Sequence, residues 1–415
     1  MSLLPAAKPS RFLTISQLIV SILGILNSVF VLLSLVFLLQ SPSADSFLGD
    51  QKSQLLNMIW VFLAILLLTI PSLVASIRAL SSSPASNPQR GRLLFATVAL
   101  LLLFPLVWLS SQPANPISGS ALAMVNIFSI LVPIWWLLEL GQFQLVTGSR
   151  KRQWGLVVFG FYISLPVTII IEFIFILVAA LLGWMWLVQQ PEAAPLLALL
   201  GSETSLDPTM LQQLSEVLLP LLQRPQIVAV LFAIIGLFIP IIEELLKPLG
   251  LWLLNNRHLS PAEGFSAGMI CGAAFALLES LLSLSAALPS DWLYTVVGRA
   301  GTGLLHIFTA GLNGWALATT WKDGKYLRAG LTYILTVALH GTWNVFAVLM
   351  GMKMVSAELP WFTLPSIASG AVWVLSTLAA LILLALILFN RYLRTQSQSP
   401  STPPPLPTYE APGMG

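Results

Sequence analysis

The 415-residue chain is 57% hydrophobic and only 8% charged, with a formal net charge of +3 and a mean hydropathy of +0.89. A soluble domain carries about 25% charged residues, so this composition excludes a chain whose surface mostly meets water. The single cysteine, Cys271, excludes a disulfide framework. The predicted fold class is therefore an all-α polytopic membrane protein.

Long apolar runs follow one another along the chain, and each is long enough for a transmembrane helix of about 20 residues. The fifth run is long enough to tilt, to project from the membrane or to break near Pro166. About ten spans are predicted: Leu13–Leu39, Leu55–Ile77, Leu93–Leu109, Ala121–Leu140, Gly155–Val188, Ile227–Leu254, Phe265–Leu288, Trp292–Trp321, Ala329–Met350 and Trp361–Phe389.

Basic residues are distributed unevenly between the loops. Alternate loops, beginning with the one that holds Lys8 and Arg11, contain fourteen Lys and Arg residues, whereas the opposite loops contain three. This asymmetry follows the positive-inside rule and predicts that both termini are cytoplasmic. Because the basic residues sort by loop, the net charge gives no reason to expect nucleic acid as a partner.

Composition also divides the chain. Residues 1–190 are predicted to form an N-terminal transmembrane scaffold of about five helices, and residues 361–394 the last span. Residues 191–226 form an external loop, in which Asp207-Pro208 resembles a helix start and an apolar stripe from Met210 to Leu222 predicts an amphipathic helix. The Ser- and Pro-rich tail, 395–415, is predicted to be disordered and cytoplasmic.

Ionisable side chains inside the apolar runs are the main functional signal, because each costs roughly 2.5–3.5 kcal/mol at the bilayer centre and usually marks function. Taken from span midpoints, five of them share a slab of roughly 10 Å in four consecutive helices. Those five are Glu243, Glu244, Glu279, His306 and His340. Glu139 lies at a cytoplasmic span end, where a structural role is expected, and Glu172 lies in the middle of the fifth span.

Other polar residues are placed to assist this group. Lys247 follows Glu243 and Glu244 at i+4 and i+3, which predicts a charge partner. Asn344 follows His340 at i+4, on the same helical face. Arg299 lies two turns external to His306, where it can bind a substrate carbonyl or carboxylate or extend outward to the interface.

The order of these residues resembles that of a known family. Glu243-Glu244-Leu245-Leu246-Lys247-Pro248 is followed by Gly272-Ala273-Ala274-Phe275-Ala276-Leu277-Leu278-Glu279, by Arg299 with His306, and by His340-Gly341-Thr342-Trp343-Asn344. This set is similar to the PrsW family of intramembrane proteases, itself similar to the CAAX-protease and bacteriocin-processing superfamily. The resemblance covers Ile227 to Met350, so residues 227–351 are predicted to be the catalytic core.

The resemblance implies an endopeptidase that cuts a membrane-anchored protein, such as an anti-sigma factor, in or near a prokaryotic cell membrane. The implied catalytic residues are Glu243, Glu244, Glu279, His306, His340 and Asn344, with Lys247, Arg299 and Ser280 as substrate-binding or supporting residues. Either Glu243 or Glu244 would activate water. A transporter with a carboxylate relay is the alternative, but a relay should string its groups along the membrane normal, whereas these groups share one depth.

The use of a metal stays open. His306, His340 and Glu279 could bind zinc and leave a position for water. Asn344 beside His340 instead suits an oxyanion, because its amide is a good donor and a poor zinc ligand. The metal-free version is favoured, so no resident cofactor is predicted, with a divalent metal such as zinc as the alternative.

Overall fold

The computed structural model describes residues 11–41, 52–81, 91–112, 119–200, 216, 224–254, 259–285, 292–358 and 366–398. The amphipathic helix predicted near Met210 lies outside these residues. The α-helices in the described ranges are α1 Arg11–Gln40, α2 Lys52–Leu80, α3 Arg92–Ser110, α4 Gly119–Gly141, α5 Arg150–Phe159, α6 Leu165–Leu187, α7 Ala194–Leu200, α8 Pro225–Ala233, α9 Ile239–Leu246, α10 Leu249–Leu254, α11 Pro261–Ser285, α12 Trp292–Asp323, α13 Tyr326–Glu358 and α14 Ala371–Gln398.

The fold class predicted from composition is confirmed. Within the described residues, nine helical segments are long and apolar enough to cross a membrane, and no strand occurs there. The predicted eighth span, Trp292–Trp321, is present as α12 but is not among the nine. Its polar residues, His306, Thr309 and Asn313 among them, are buried against other helices, so α12 contributes the polar interior of the bundle.

Two membrane-spanning segments widen into π-helical turns just before a proline. The turn Gly160–Ser164 joins α5 to α6, whose second residue is Pro166, and the turn Ile234–Phe238 joins α8 to α9, whose second residue is Pro240. Proline lacks an N–H and its ring collides with the preceding helical turn, and a π-bulge accommodates both without ending the helix. The expected disturbance near Pro166 is therefore a bulge, and the helix continues through it.

Helices α11 and α12 form the centre of the molecule. A Cβ atom on Gly272 would overlap the carbonyl oxygen of His306, and one on Gly268 would overlap that of Ala310. Small residues spaced by four allow membrane helices to approach this closely. A second close approach occurs where Gly341 of α13 meets the carbonyl oxygen of Gly236 in the π-turn. These contacts fix α12 and α13 against the helices that carry the glutamates.

The end of α14 differs from the sequence prediction. The helix extends to Gln398, past the predicted start of the disordered tail at residue 395. Side-chain contacts one turn apart explain the extension: the Gln396 amide donates to the Tyr392 hydroxyl at 2.7 Å, and the Thr395 hydroxyl donates to the Tyr392 carbonyl at 2.8 Å.

Candidate active site

The two adjacent glutamates of α9 have different surroundings. The Glu244 Oε1 atom lies 2.7 Å from Lys247 Nζ, 3.1 Å from Thr309 Oγ1 and 3.0 Å from His340 Nδ1, and Asn313 Nδ2 donates to its Oε2 atom at 3.1 Å. The Glu243 Oε2 atom lies 3.1 Å from Lys247 Nζ and 3.7 Å from His340 Nε2. Glu244 is thus held from four sides, whereas Glu243 keeps capacity for another ligand.

Lys247 is the charge partner that the sequence spacing predicted. It is buried, contacts both glutamates, and its ammonium lies 5.1 Å from the centre of the Phe275 ring. A lone buried charge is costly, whereas a paired and hydrogen-bonded one is tolerated. The lysine therefore allows two carboxylates to sit side by side in the bilayer.

His340 of α13 connects the two glutamates. Its Nδ1 atom lies 3.0 Å from Glu244 Oε1 and 3.2 Å from Lys247 Nζ, and its Nε2 is the nitrogen nearer to Glu243. An ionised carboxylate only accepts hydrogen bonds, so the pairing with Glu244 favours a proton on Nδ1 and a lone pair on Nε2. This carboxylate–imidazole pairing is typical of histidines that bind metals.

His306 of α12 repeats the arrangement. Its Nε2 lies 3.0 Å from Glu279 Oε2, and its Nδ1 is buried without a hydrogen-bond partner in the described part of the chain. The two imidazole rings are 5.0 Å apart at an interplanar angle of 88°. Each histidine therefore has one nitrogen on a carboxylate and directs the other toward a shared space.

One ligand atom each from Glu243, His306 and His340 lies within 4.8 Å of the others, and all three residues are buried. For the case that a metal is used, the sequence predicted Glu279 in such a set, but the structure groups Glu243 with the two histidines instead. Glu279 lies behind His306, on its other nitrogen. The free Nδ1 of His306 and the carboxylate–histidine pairs fit a divalent metal in this space.

Glu279 anchors a second polar group on the open side of the site. Its Oε2 is 3.0 Å from Arg299 Nη2, and Arg299 Nε donates to Ser280 Oγ at 3.0 Å. The Glu279 side chain is 31% exposed, against 1% for His306. Arg299 thus pairs with Glu279 inside the bundle and does not extend to the interface.

Asn344 does not join this group. Its amide donates to the carbonyl oxygen of Ile235 at 3.3 Å, within the π-turn that precedes α9. Thr309 and Asn313, which hold Glu244, were missed in the sequence. They follow His306 at i+3 and i+7, on the face of α12 that carries the histidine, so helical periodicity from His306 would have found them.

A family model described as the PrsW family intramembrane metalloprotease matches residues 153–381, more than half of the chain. The chain belongs to this family. It is a membrane-embedded peptide hydrolase, and membership gives no support to the transporter alternative. The match extends beyond Ile227–Met350 at both ends, so α5, α6 and the beginning of α14 are part of the family region. Comparisons with curated proteins and with solved structures found no match.

Proposed function

We propose that this PrsW-family enzyme cleaves a membrane-anchored protein at a site formed by Glu243, His306 and His340, which together hold a divalent metal such as zinc. The unpartnered Nδ1 of His306 carries the proposal. A buried imidazole nitrogen without a partner is unfavourable, and a metal ion satisfies it. The family's description as metalloproteases supports the same version over the metal-free one favoured by the sequence.

The carboxylates around the site have separate roles in this proposal. Glu244 holds the His340 tautomer that leaves Nε2 free, and Lys247 offsets the negative charge of the two adjacent glutamates. A metal held here would polarise the scissile carbonyl and make water a better nucleophile. Each of these residues acts by fixing the charge or orientation of a neighbour.

Glu279 positions His306 in this proposal. Both of its contacts use Oε2, so Glu279 holds the proton on His306 Nε2 and leaves His306 Nδ1 to bind the metal. Arg299, held by Ser280, orients Glu279.

Asn344 has a positioning role. Its hydrogen bond to Ile235 ties α13 to the π-turn and so helps to place α9 against His340. The oxyanion role assigned to it in the metal-free version would require this bond to break.

We also propose a cytoplasmic location for both termini in a prokaryotic cell membrane. The loop asymmetry supports this orientation, as do contacts that join the basic ends to one another. Arg152 pairs with Glu263 at 2.7 Å, Lys151 contacts Thr14, and Arg394 donates to Gln144. These contacts join the basic ends of α1, α5 and α14 to one another's surroundings, at the start of α11 and just after the end of α4, which supports one common side for them.

The experiment is cleavage of a panel of synthetic single-span peptides, with varied central sequence and a fluorophore–quencher pair, by the purified enzyme in phospholipid vesicles. We expect chelators to stop cleavage, zinc to restore it, and metal analysis to find about one ion per chain, lost in His306→Ala and His340→Ala. Glu139→Gln is the matched control, because Glu139 pairs with Arg92 in another part of the bundle. Cleavage by metal-free enzyme that survives chelators would overturn the metal assignment.

A further inference from the structure

Helix α6 contacts the rest of the protein along one narrow stripe. Thr168, Glu172, Phe175 and Ala179 are buried or half-buried at helical spacing, whereas the residues between them are exposed. Beyond Ala179 most of the helix is exposed as well. Such a helix is far less constrained than α11, which is buried over most of its length.

Few specific bonds hold α6 in place. In the described part of the chain, no hydrogen bond or ion pair joins a residue of α6 to another helix, and its main specific contact is Phe175 against Phe238, with ring centres 5.0 Å apart. At its base, Ser164 Oγ donates to the Leu246 carbonyl at 2.6 Å. Ser164 closes the π-turn Gly160–Ser164, and π-bulges are frequent at helix kinks and at functional sites. Helix α6 is therefore hydrogen-bonded to its neighbours only next to its N-terminal end, among the described residues, and the rest of the helix makes packing contacts alone.

Glu172 lies on the protein-facing stripe of this loosely held helix. Its Oε1 atom is buried and has no hydrogen-bond partner among the described residues. It is near enough to Glu243, Glu279 and Lys247 to interact with them electrostatically. A carboxylate with a purely structural role would be expected to contact a donor, as Glu244 does. Glu172 instead leaves an acceptor beside the reaction centre.

We infer that α6 moves away from α9 to admit a transmembrane segment of the substrate, and that Glu172 binds backbone N–H groups of that segment where it unwinds. This inference rests on the proposed function. A peptide bond inside a helix must leave its hydrogen-bonded turn before water attacks it, and the freed N–H groups are costly in a bilayer without a partner. An unpartnered carboxylate next to the catalytic residues supplies that partner.

The occupant is a transmembrane segment because the entrance opens to the membrane. The residues that flank Glu172 on α6, Ile171, Phe173 and Ile174 among them, are large, apolar and exposed. The entrance thus has an apolar rim and one polar acceptor inside, which matches an apolar helix with a short unwound stretch.

The first test needs no catalysis. In a Glu243→Gln background, a photo-crosslinking amino acid replaces either Ala179, on the stripe, or Phe104, on the exposed face of α3, and a labelled single-span peptide with a central Gly-Pro-Gly break is the probe. We expect at least fivefold more crosslinking to the probe from position 179, abolished by excess unlabelled probe. Equal labelling from both positions, or none from either, would overturn the inference.

The second test closes the entrance. Cys271→Ser removes the only cysteine, and Phe175→Cys with Phe238→Cys then allows a short thiol-cleavable crosslinker to join α6 to the π-turn. We expect crosslinking to slow cleavage of the peptide panel at least tenfold and a reductant to restore it. A control pair, Trp315→Cys with Phe389→Cys, joins α12 to α14 where the rings also touch and should leave the rate unchanged.

Kinetics of Glu172 variants complete the test. Glu172→Ala should raise KM roughly tenfold with little change in kcat, because it removes a hydrogen bond made on binding. Glu172→Gln, which keeps an acceptor, should recover part of the loss, and Phe104→Ala on the exposed face of α3 should match the wild type. Wild-type cleavage that Glu243→Gln abolishes but that neither the crosslink nor Glu172→Ala affects would overturn this inference and leave the proposed function standing. If no peptide is cleaved by the wild type, the proposed function fails and the crosslinking result alone decides the inference.

Discussion

The N-terminal helices and the catalytic core accommodate polar side chains inside the membrane in different ways. Helices α1, α2 and α5 are joined by neutral hydroxyl and amide contacts, such as Ser21 with Ser72 at 3.0 Å. Helices α3 and α4 border an apolar cavity of about 980 Å³. In the core, by contrast, charged residues meet between helices so close that a Cβ atom on Gly272 would not fit.

The difference follows from what each region has to hold. A hydroxyl can donate its hydrogen bond to a carbonyl of its own helix, as Ser21 does to the Gln17 carbonyl. Its contact with another helix therefore adds little to the free energy of unfolding. A buried carboxylate has no such local solution and needs partners from several helices. The four partners of Glu244 come from α12, α13 and the end of α9. A buried carboxylate thus requires partners from several closely packed helices, whereas a hydroxyl can bond within its own helix.

The largest expected effect separates two intramembrane glutamates. Glu243→Gln should lower kcat/KM more than roughly a hundredfold, because even residues that only support a metal ligand contribute 10–100-fold. Glu139→Gln should stay within about twofold, since Glu139 pairs with a partly exposed Arg92 at 3.4 Å. Rates in vesicles, with expression and unfolding temperature matched, measure this. Equal losses in both variants would remove the functional distinction between the two regions.

A second effect concerns stability. Glu244→Ala should destabilise the fold by about 3–5 kcal/mol, because Lys247 would keep its buried charge without its nearest partner. Glu139→Ala should cost less than about 1 kcal/mol, because its arginine partner can reach solvent. Denaturation in mixed micelles is the measurement. A Glu244→Ala protein as stable as Glu139→Ala would show that the network serves catalysis alone.

Close packing in the core gives a third, smaller contrast. Gly272→Leu should cost at least about 1–3 kcal/mol, the usual range for overpacking, because its side chain would meet the His306 backbone. Gly330→Leu in α13 has open space around it and should not destabilise. The same denaturation assay compares the two. Tolerance of leucine at position 272 would contradict the close approach of α11 and α12.

The same contrast explains what the sequence could predict. Apolar runs and charge asymmetry identified the spans, because the bilayer imposes length and composition on every helix. Shared depth brought Glu243, Glu244, Glu279, His306 and His340 into one candidate group. Depth fixes position along a helix but not rotation about it, so the sequence could not tell that Glu243 faces the space between the two histidines while Glu279 lies on the other side of His306. Rotation depends on contacts such as Gly236 with Gly341, which only the folded chain displays.

The π-turns and Asn344 show a second limit. Pro166 signalled a local disturbance in the fifth span, but its form depends on neighbouring helices that supply new backbone partners. Asn344 has the right spacing from His340 for an oxyanion role, yet its amide donates to Ile235 in one of those turns. Residue spacing shows which side chains could donate a hydrogen bond to a substrate. It does not show which of them already donate to a backbone carbonyl in the folded chain.

The smallest expected effect tests the hydroxyl contacts of the N-terminal helices. Ser72 Oγ accepts a hydrogen bond from Gln17 Nε2 at 3.0 Å and lies 3.0 Å from Ser21 Oγ. Interhelical hydrogen bonds of this kind contribute about 0.6 kcal/mol on average in membranes, because their partners find other acceptors when the helices separate. Ser72→Ala should therefore cost only about that much and leave cleavage unchanged. Ser34→Ala is the control, since Ser34 donates only to its own helix at Phe30, and it should cost nothing measurable. A loss at Ser72 as large as that of Glu244→Ala would show that neutral contacts in the scaffold carry as much stability as charged ones in the core, and the contrast between the two regions would not hold.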